Sequence, residues 1–181
     1  MAVHAPRDGR LLADVACATV ADVDRAVRSA DGALTQWRTT PPLVRAELIE
    51  RFGRLLDAHQ GAIAQIVADE VGKPLTEAQA EVARAFEVTH HFAGEAGRQW
   101  NQHLPADTLT TGSTIRSEPV GVVAAITPWN FPVALIMWKL APALAAGCTL
   151  VIKPAQETPL AAWEIVDLAQ QVGFPAGTIN L

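Results

Sequence analysis

Three polar residues stand just beyond two apolar runs, where their side chains could bind a ligand. Asn130 lies in a turn after the run Val120–Ile126, and Lys153 and Gln156 follow the run Thr149–Ile152. An exposed asparagine amide can donate hydrogen bonds to an oxyanion, and a lysine ammonium can donate to ribose hydroxyls or to a phosphate. Each residue also has a plain interpretation, since Asn130 can cap the next helix, Lys153 can be a solvated lysine at a sheet edge, and Gln156 can be an ordinary loop residue.

The two apolar runs must position these side chains. Both are rich in β-branched and small residues, as is typical of strands that are covered on both faces of a parallel sheet. The segment between them is long enough for a crossover helix, so the unit is a βαβ with parallel strands. Because ligands bind beyond the carboxyl ends of such strands, the turns at 127–130 and 153–156 are predicted to form one site.

The segment before these strands has the periodicity of helices. Thr19 with Asp22 forms a capping-box pattern, and Gly72 before Pro74 is typical of a helix end. A helix beginning at Thr19 carries Val23 and Val27. Thr40 is predicted to be the N-cap of a helix in which Pro41 comes first and Leu43 belongs to the buried stripe. A break is predicted at Gly61, a second capping box at Thr76 and Gln79, and a helix that runs from there to about Gln99. The remaining predictions are an edge strand over Leu11–Val15, a helix that opens at Thr158 and a third strand from Thr178.

These elements predict an α/β fold. It consists of a helical N-terminal segment and the start of a parallel, Rossmann-like sheet with a projecting β-hairpin, and the sheet is incomplete at the C-terminus. The predicted parts are 1–100, helical; 101–118, a threonine-rich hairpin that we expect to act in oligomerisation; and 119–181, the first βαβ units of the dinucleotide-binding sheet.

The overall composition excludes several classes of protein. The 181 residues carry a net charge of -5, which argues against nucleic-acid binding. Lys139 and Pro142 interrupt the longest apolar stretch, so no membrane span is predicted, and the N-terminus lacks the pattern of a signal peptide. The two cysteines, Cys17 and Cys148, form neither a zinc motif nor a disulfide framework, which favours the reducing cytoplasm. His90 has no metal-ligand pattern around it, so no metal site is predicted.

A set of motifs resembles the aldehyde dehydrogenase superfamily over nearly the whole chain. The turn Pro-Trp-Asn-Phe-Pro, followed by Lys-Pro-Ala, is the most specific of them. The matching segments are Glu70-Val-Gly-Lys-Pro, Glu118-Pro-Val-Gly-Val-Val, Thr127-Pro-Trp-Asn-Phe-Pro, Trp138-Lys-Leu-Ala-Pro-Ala-Leu-Ala-Ala-Gly, Lys153-Pro-Ala-Gln-Glu-Thr-Pro and Gly173-Phe-Pro-Ala-Gly.

The resemblance implies an enzyme that oxidises an aldehyde to a carboxylic acid with NAD or NADP. It implies that Asn130 stabilises the oxyanion of the intermediate formed on a cysteine, and that Lys153 lies beside the adenosine ribose. The cofactor groove implied by the family comprises Ile126, Thr127, Pro128, Trp129, Asn130, Lys153, Ala155 and Gln156. The family also needs no G-x-G-x-x-G motif at the first turn, and this chain has none there.

Two departures from the family pattern bear on function. Gln156 stands where the family usually has a glutamate that would repel a 2'-phosphate, so we expect NADP to be accepted. The family's catalytic cysteine and general-base glutamate have no counterpart in these 181 residues, and neither Cys17 nor Cys148 matches the nucleophile. We therefore expect the chain alone, as the N-terminal part of such an enzyme, to oxidise no aldehyde.

An alternative remains open beside the enzyme. The chain could be a non-catalytic dinucleotide-binding or assembly fragment that pairs its exposed sheet edges with another chain. A full-length enzyme would be a homo-oligomer, and its aldehyde could be a semialdehyde or a medium-chain aldehyde.

Overall fold

The structure is a computed structural model, and it describes residues 1–98, 102–108 and 111–181. These residues form six helices and seven strands. The helices are α1 (Val20–Thr39), α2 (Pro42–Ala58), α3 (Gln60–Val71), α4 (Leu75–Ala96), α5 (Ala134–Ala146) and α6 (Leu160–Val172). The strands are β1 (Ala2–His4), β2 (Leu11–Asp14), β3 (Gln102–Thr108), β4 (Thr111–Ile115), β5 (Val122–Ile126), β6 (Thr149–Lys153) and β7 (Ile179–Asn180).

The parallel sheet that was predicted from the two apolar runs is present. Its strand order is β5-β6-β7, and both pairings are parallel. Helix α5 connects β5 to β6 and α6 connects β6 to β7, so each pair is a βαβ unit. The third strand, β7, lies where the sequence pattern placed it. The α/β fold class is therefore confirmed.

The two long strands differ in burial, although their sequences are alike. Strand β6 lies in the centre, and Leu150 and Ile152 are almost fully buried. Strand β5 lies at the edge, where Val120 just before it is 89% exposed and Ile126 is 67% exposed. The prediction that both faces of β5 are covered is wrong, because Ala124 and Ile126 on one face are exposed, whereas Ala125 on the other face is buried.

The helical layer packs around a core of aromatic and aliphatic side chains. Trp37 and Phe52 each contact Phe174 edge-to-face, with ring centroids 5.6 and 5.9 Å apart. The capping box at Thr19 is present and starts α1, and Gly72 ends α3 with a φ of 79°. The buried face of α1 is Ala30, Ala33 and Trp37, whereas Val23 and Val27 are exposed.

Four of the predicted helix features are wrong. Thr40 does not cap α2; it closes α1, because its hydroxyl donates to the carbonyl of Gln36 at 2.9 Å. Leu43 is 75% exposed, since the buried face of α2 turns to Ile49, Phe52 and Leu56. Gly61 lies inside α3, because the break between α2 and α3 comes at His59. Thr76 and Gln79 form no capping box, since α4 already begins at Leu75 after Pro74.

The ends of the helical segment also differ from the prediction. Helix α4 ends at Ala96, and Gln99 lies outside the described residues. At the N-terminus, β2 pairs antiparallel with β1, a strand that the sequence pattern did not indicate. Thr158 does not cap α6, which begins at Leu160 with no side-chain cap from its own N-cap residue.

The predicted hairpin at 101–118 is present in its described part. Strands β3 and β4 pair antiparallel, and neither pairs with any other strand in the described residues. Leu104 and Ile115 are about half exposed on this hairpin, at 45% and 50%. Asn101 and residues 109–110 lie outside the described residues. In the described ranges, no helix is both long and apolar enough to cross a membrane.

Candidate active site at the ends of two parallel strands

The two predicted loops meet at one edge of the sheet. Ile126 and Lys153 are register partners, each the last residue of its strand. The backbone N–H of Thr127 donates to the carbonyl oxygen of Lys153 at 3.2 Å, which adds one more rung beyond the strands. The structure thus brings together the turn that carries Asn130 and the loop that carries Lys153 and Gln156.

This edge presents an apolar surface flanked by polar groups. Ile126 is 67% exposed, and Trp129 and Phe131 are about half exposed. The other exposed members of the predicted groove are Pro128, Asn130, Lys153 and Gln156. Two predicted residues, Thr127 and Ala155, are buried instead, so they can offer a ligand only their backbone. An exposed apolar surface rimmed by amide and ammonium groups suits a flat heteroaromatic ring joined to a sugar.

The site is an open surface of the chain. Two clefts occur elsewhere, of about 590 and 890 Å³, and neither is lined by any residue of the predicted groove. A ligand at the strand ends would therefore keep one side exposed on these residues. The positions of the loops, rather than a cavity, define the site.

Asn130 does not cap the helix that follows it. Helix α5 begins at Ala134 without a side-chain cap from its N-cap residue, Val133. The backbone N–H groups of Val133 and Ala134 instead donate to Glu81 Oε1, at 3.0 and 3.2 Å. The capping interpretation of Asn130 is therefore wrong, and its exposed amide remains available to a ligand.

Glu81 is part of an ion pair that also reaches the Asn130 turn. Lys73 Nζ lies 2.5 Å from Glu81 Oε2, and the two side chains are 12% and 1% exposed. The same ammonium donates to the backbone carbonyl of Asn130 at 2.9 Å and lies 4.5 Å from the centre of the Phe131 ring. The sequence pattern did not indicate this role, although Lys73 lies in the family motif Glu70-Val-Gly-Lys-Pro.

A second glutamate caps the second crossover helix. The carboxylate oxygens of Glu70 accept the backbone N–H groups of Leu160 and Ala161 at 2.8 and 3.1 Å. Burial raises the pKa of Glu70 to about 7; the hydrogen bonds from Leu160 and Ala161 act in the opposite direction, and the charge of Glu81 raises it further. No lysine or arginine pairs with Glu70 in the part of the chain that the structure describes.

The two capped helices limit how a dinucleotide can bind. Helix N-termini after parallel strands usually attract phosphate through their free N–H groups. Here carboxylates already occupy the N-termini of both α5 and α6, so a pyrophosphate would meet negative charge there. The strand-end residues fit the adenosine ribose of a dinucleotide, whereas the starts of these two helices do not fit its pyrophosphate.

Lys153 is available for such a ribose or for a phosphate on it. Its side chain is exposed, and its ammonium donates to the carbonyl of the neighbouring Pro154 at 3.1 Å. Among the described residues no carboxylate forms an ion pair with it. Gln156 lies exposed in the same loop, so no negative charge at that position opposes an anion.

The two cysteines are placed unlike a nucleophile for this site. Both thiols are unpaired; Cys17 is exposed and Cys148 is 3% exposed. Cys148 precedes β6, whereas Lys153 ends it, so the thiol lies at the opposite end of the strand, about 16 Å away at the usual rise per residue.

His90 forms a separate cluster on the helical layer. Its Nδ1 lies 2.9 Å from Glu50 Oε2, and its Nε2 lies 2.8 Å from Asp57 Oδ2. The ring lies against Gly53, where an added Cβ would come within 2.7 Å of it. No group of three potential metal ligands occurs among the residues that the structure describes. The cluster therefore joins α2 to α4.

The sequence matches the aldehyde dehydrogenase family over residues 1–181. It is 40% identical to the mitochondrial succinate-semialdehyde dehydrogenase of Arabidopsis thaliana over 179 residues, which cover 99% of this chain and 34% of that protein. It is also 40% identical over 179 residues to a probable succinate-semialdehyde dehydrogenase [NADP(+)] of Sinorhizobium fredii, covering 99% of this chain and 36% of the relative.

The fold of the chain also matches solved structures. Betaine aldehyde dehydrogenase of Staphylococcus aureus in complex with NAD+ superposes with a TM-score of 0.97 at 35% identity, covering 100% of this chain and 36% of that one. The chain thus spans about a third of the length of the relatives it matches.

Proposed function

The chain belongs to the aldehyde dehydrogenase family, and on that premise we propose that it binds the adenosine end of NAD or NADP and supplies the oxyanion-stabilising amide for oxidation of an aldehyde to a carboxylic acid. The observation that carries this proposal is the pairing of Ile126 with Lys153, which places the Asn130 turn and the Lys153 loop side by side. One extended ligand could contact both loops.

Asn130 is proposed to act as a hydrogen-bond donor to the oxyanion of the tetrahedral intermediate. Its side chain is exposed, and Glu81 has taken over the capping role that would otherwise use it. One such donor is worth about 100- to 1,000-fold in kcat.

A chimera tests this role. Residues 1–181 would replace the matching third of the Sinorhizobium relative, and reduced nicotinamide would be followed by its absorbance with succinate semialdehyde, glutarate semialdehyde and hexanal. We expect turnover, and we expect Asn130→Ala to lower kcat about 100-fold or more while dinucleotide affinity changes little. Unchanged kcat in Asn130→Ala would overturn the role. Asn180→Ala is the matched control, because its amide bonds to Leu150 and Gly177 within the sheet.

For the chain alone we propose dinucleotide binding without turnover. Cys148 is buried at the far end of β6, and Cys17 does not match the family's nucleophile, so we expect neither thiol to attack an aldehyde held at Asn130. Aldehyde-dependent reduction of NADP by the 181-residue chain would contradict this.

The two unpaired thiols also support the proposal of a reducing, cytoplasmic compartment.

NADP acceptance is proposed from the charges around Lys153. An exposed ammonium beside a neutral Gln156 can pair with a 2'-phosphate, whereas a glutamate at 156 would repel it. The effect is tested by comparing ADP-ribose with ADP-ribose 2'-phosphate, which differ only in that phosphate. Calorimetry measures the affinity of the chain for each ligand. We expect Gln156→Glu to weaken the 2'-phosphorylated ligand about tenfold or more and to leave ADP-ribose nearly unchanged. A strong preference of the unaltered chain for ADP-ribose would refute the idea.

The substrate class proposed is an aldehyde that carries an acid group, because the matched relatives include two proteins named for succinate semialdehyde. The semialdehyde and hexanal arms of the assay, run on the chimera and on the unaltered Sinorhizobium relative, show whether residues 1–181 support this class over an uncharged aldehyde; a shift of the chimera toward hexanal would contradict it.

A second copy of the chain is the proposed partner of the β3–β4 hairpin. The hairpin pairs with no other described strand, and it exposes Leu104 and Ile115. Light scattering of the chain and of Leu104→Asp tests this, since loss of the oligomer in the variant is expected. A monomer in both cases would contradict the proposal.

A further inference from the structure

We propose that Lys73 is a positioning residue that fixes the Asn130 turn, acting together with Glu81. This inference rests on the proposed role of Asn130 and adds a residue from outside the sheet to that site. Lys73 lies 57 residues earlier in the chain, in the short connection between α3 and α4.

The ammonium of Lys73 contacts two consecutive residues of the turn. It donates to the backbone carbonyl of Asn130 at 2.9 Å, and it lies 4.5 Å from the centre of the Phe131 ring. The first contact fixes the direction of the peptide that carries Asn130, and the second holds the next side chain by a cation–π interaction. Together these two contacts set the direction in which the Asn130 side chain extends from the main chain.

Glu81 holds Lys73 in place and fixes the other end of the turn. One carboxylate oxygen is 2.5 Å from Lys73 Nζ, and the other accepts the N–H groups of Val133 and Ala134. A single buried ion pair therefore contacts the turn at 130–131 and again at 133–134. Both charges are nearly shielded from water, so their hydrogen-bond geometry is held more tightly than in an exposed pair.

Among the described residues, no hydrogen bond fixes the Asn130 side chain itself, and that side chain is exposed. An amide that must meet a developing oxyanion gains from being held before the reaction. The backbone contact with Lys73 is the one that supplies this restraint among the residues described.

Selective labelling of asparagine with ¹⁵N tests the proposal on the 181-residue chain. The chain has three asparagines, Asn101, Asn130 and Asn180, so the side-chain amide spectrum is simple. Asn180 is the internal reference, because its amide donates to the carbonyls of Leu150 and Gly177 inside the sheet. The Asn130 signals are assigned by their loss in Asn130→Ala.

The key variant is the double substitution Lys73→Met/Glu81→Gln. It removes both charges with side chains of similar size, and the amide oxygen introduced by Glu81→Gln can still accept an N–H group of α5, so the fold should survive. We expect the Asn130 amide signals to move at least three times further than those of Asn180, toward their positions in the denatured chain. Lys73→Arg alone keeps the cation, so it should show only a small part of that movement.

Two results would overturn the proposal. The first is an Asn130 signal that stays in place in the double variant while Asn180 also stays in place. The second is equal movement of both signals in a double variant whose circular-dichroism spectrum matches that of the unaltered chain, which would mean that the pair supports the sheet in general and not the Asn130 turn in particular. These results are independent of catalysis: if Asn130→Ala left the chimera's kcat unchanged, the proposed function would fail while the effect of Lys73 on the Asn130 turn could still be present.

Discussion

Glu81 and Glu70 have the same structural role in two different electrostatic settings. Each is a buried carboxylate from the helical layer, and each accepts the first N–H groups of a crossover helix, α5 for Glu81 and α6 for Glu70. Glu81 also faces the ammonium of Lys73 at 2.5 Å, whereas Glu70 has no cationic partner in the described part of the chain.

The difference shows what a counter-charge adds to a helix cap. Two backbone N–H groups favour the carboxylate form, but for Glu70 they do not offset burial, and the pKa of that group rises to about 7. The cap on α6 therefore titrates near neutral pH. The cap on α5 belongs to a charge pair, and that pair also contacts the turn that carries Asn130, the proposed oxyanion donor.

The largest expected effect comes from removing the paired carboxylate. We expect Glu81→Ala to lower the free energy of unfolding by about 3–5 kcal/mol, because the Lys73 ammonium, nearly shielded from water, would lose its only carboxylate partner among the described residues. Glu70→Ala should cost less, about 1–3 kcal/mol, since it leaves only unpaired N–H groups. Urea unfolding measures both, with the exposed Glu87→Gln on α4 as control. Equal losses would remove the distinction between the two caps.

The second effect concerns the pH dependence of the unpaired cap. Between its ordinary pKa of 4.5 and about 7, Glu70 keeps a proton in the folded chain that it has released in the unfolded chain, so stability falls as pH rises. The side chain introduced by Glu70→Gln cannot titrate. The variant should therefore gain about 2–3 kcal/mol relative to the unaltered chain between pH 5 and 8.

Urea unfolding across this pH range checks that gain. Glu157→Gln removes an exposed carboxylate from the loop before α6 and should run parallel to the unaltered chain. A constant difference between Glu70→Gln and the unaltered chain would show that Glu70 does not titrate in this window.

A smaller effect on stability is expected at His90, where the titrating group is a cation that lies between two carboxylates. Burial lowers the pKa of His90, but the hydrogen bonds and charges of Glu50 and Asp57 outweigh it and raise the pKa above the ordinary 6.5. The stabilisation is therefore complete below pH 6.5 and is lost as pH rises through the raised pKa. His90→Gln should remove about 1 kcal/mol at low pH, because the cluster is partly exposed. The exposed His91→Gln is the control, and a loss that is independent of pH would contradict this account.

The smallest effect tests whether the two caps influence each other. The charge of Glu81 contributes to the raised pKa of Glu70, and it is the last of the causes in size. Glu81→Gln should therefore lower the pKa of Glu70 slightly, as followed by ¹³C NMR of its carboxyl carbon. A raised or unchanged pKa of Glu70 in this variant would contradict the contribution of the Glu81 charge.

The strand-end loops could be predicted because their signals are local. The apolar runs and the polar residues that follow them are contiguous in sequence, so Asn130 and Lys153 were placed at one sheet edge correctly. The contacts of the buried lysine and glutamates could not be found in this way. Lys73 lies 57 residues from Asn130, and Glu70 lies 90 residues from Leu160, so only the tertiary packing brings them together.

The errors at helix ends have a related cause. Thr76 and Gln79 have the residue types of a capping box, but Pro74 starts α4 earlier. The starts of α5 and α6 lack any local cap because remote carboxylates supply it. Burial of β5 was overestimated since composition reports how apolar a strand is, while its exposed side depends on which neighbours cover it.

The borrowed caps have a consequence for how the polypeptide can be divided. If residues 119–181 were expressed without the preceding 118, the N-terminal amide groups of both crossover helices would lack the carboxylates that accept their hydrogen bonds. Such a piece should not be an autonomous folding unit. Mixing it with residues 1–98 should instead allow complementation, in which the helical half completes the sheet half by supplying Glu70 and Glu81.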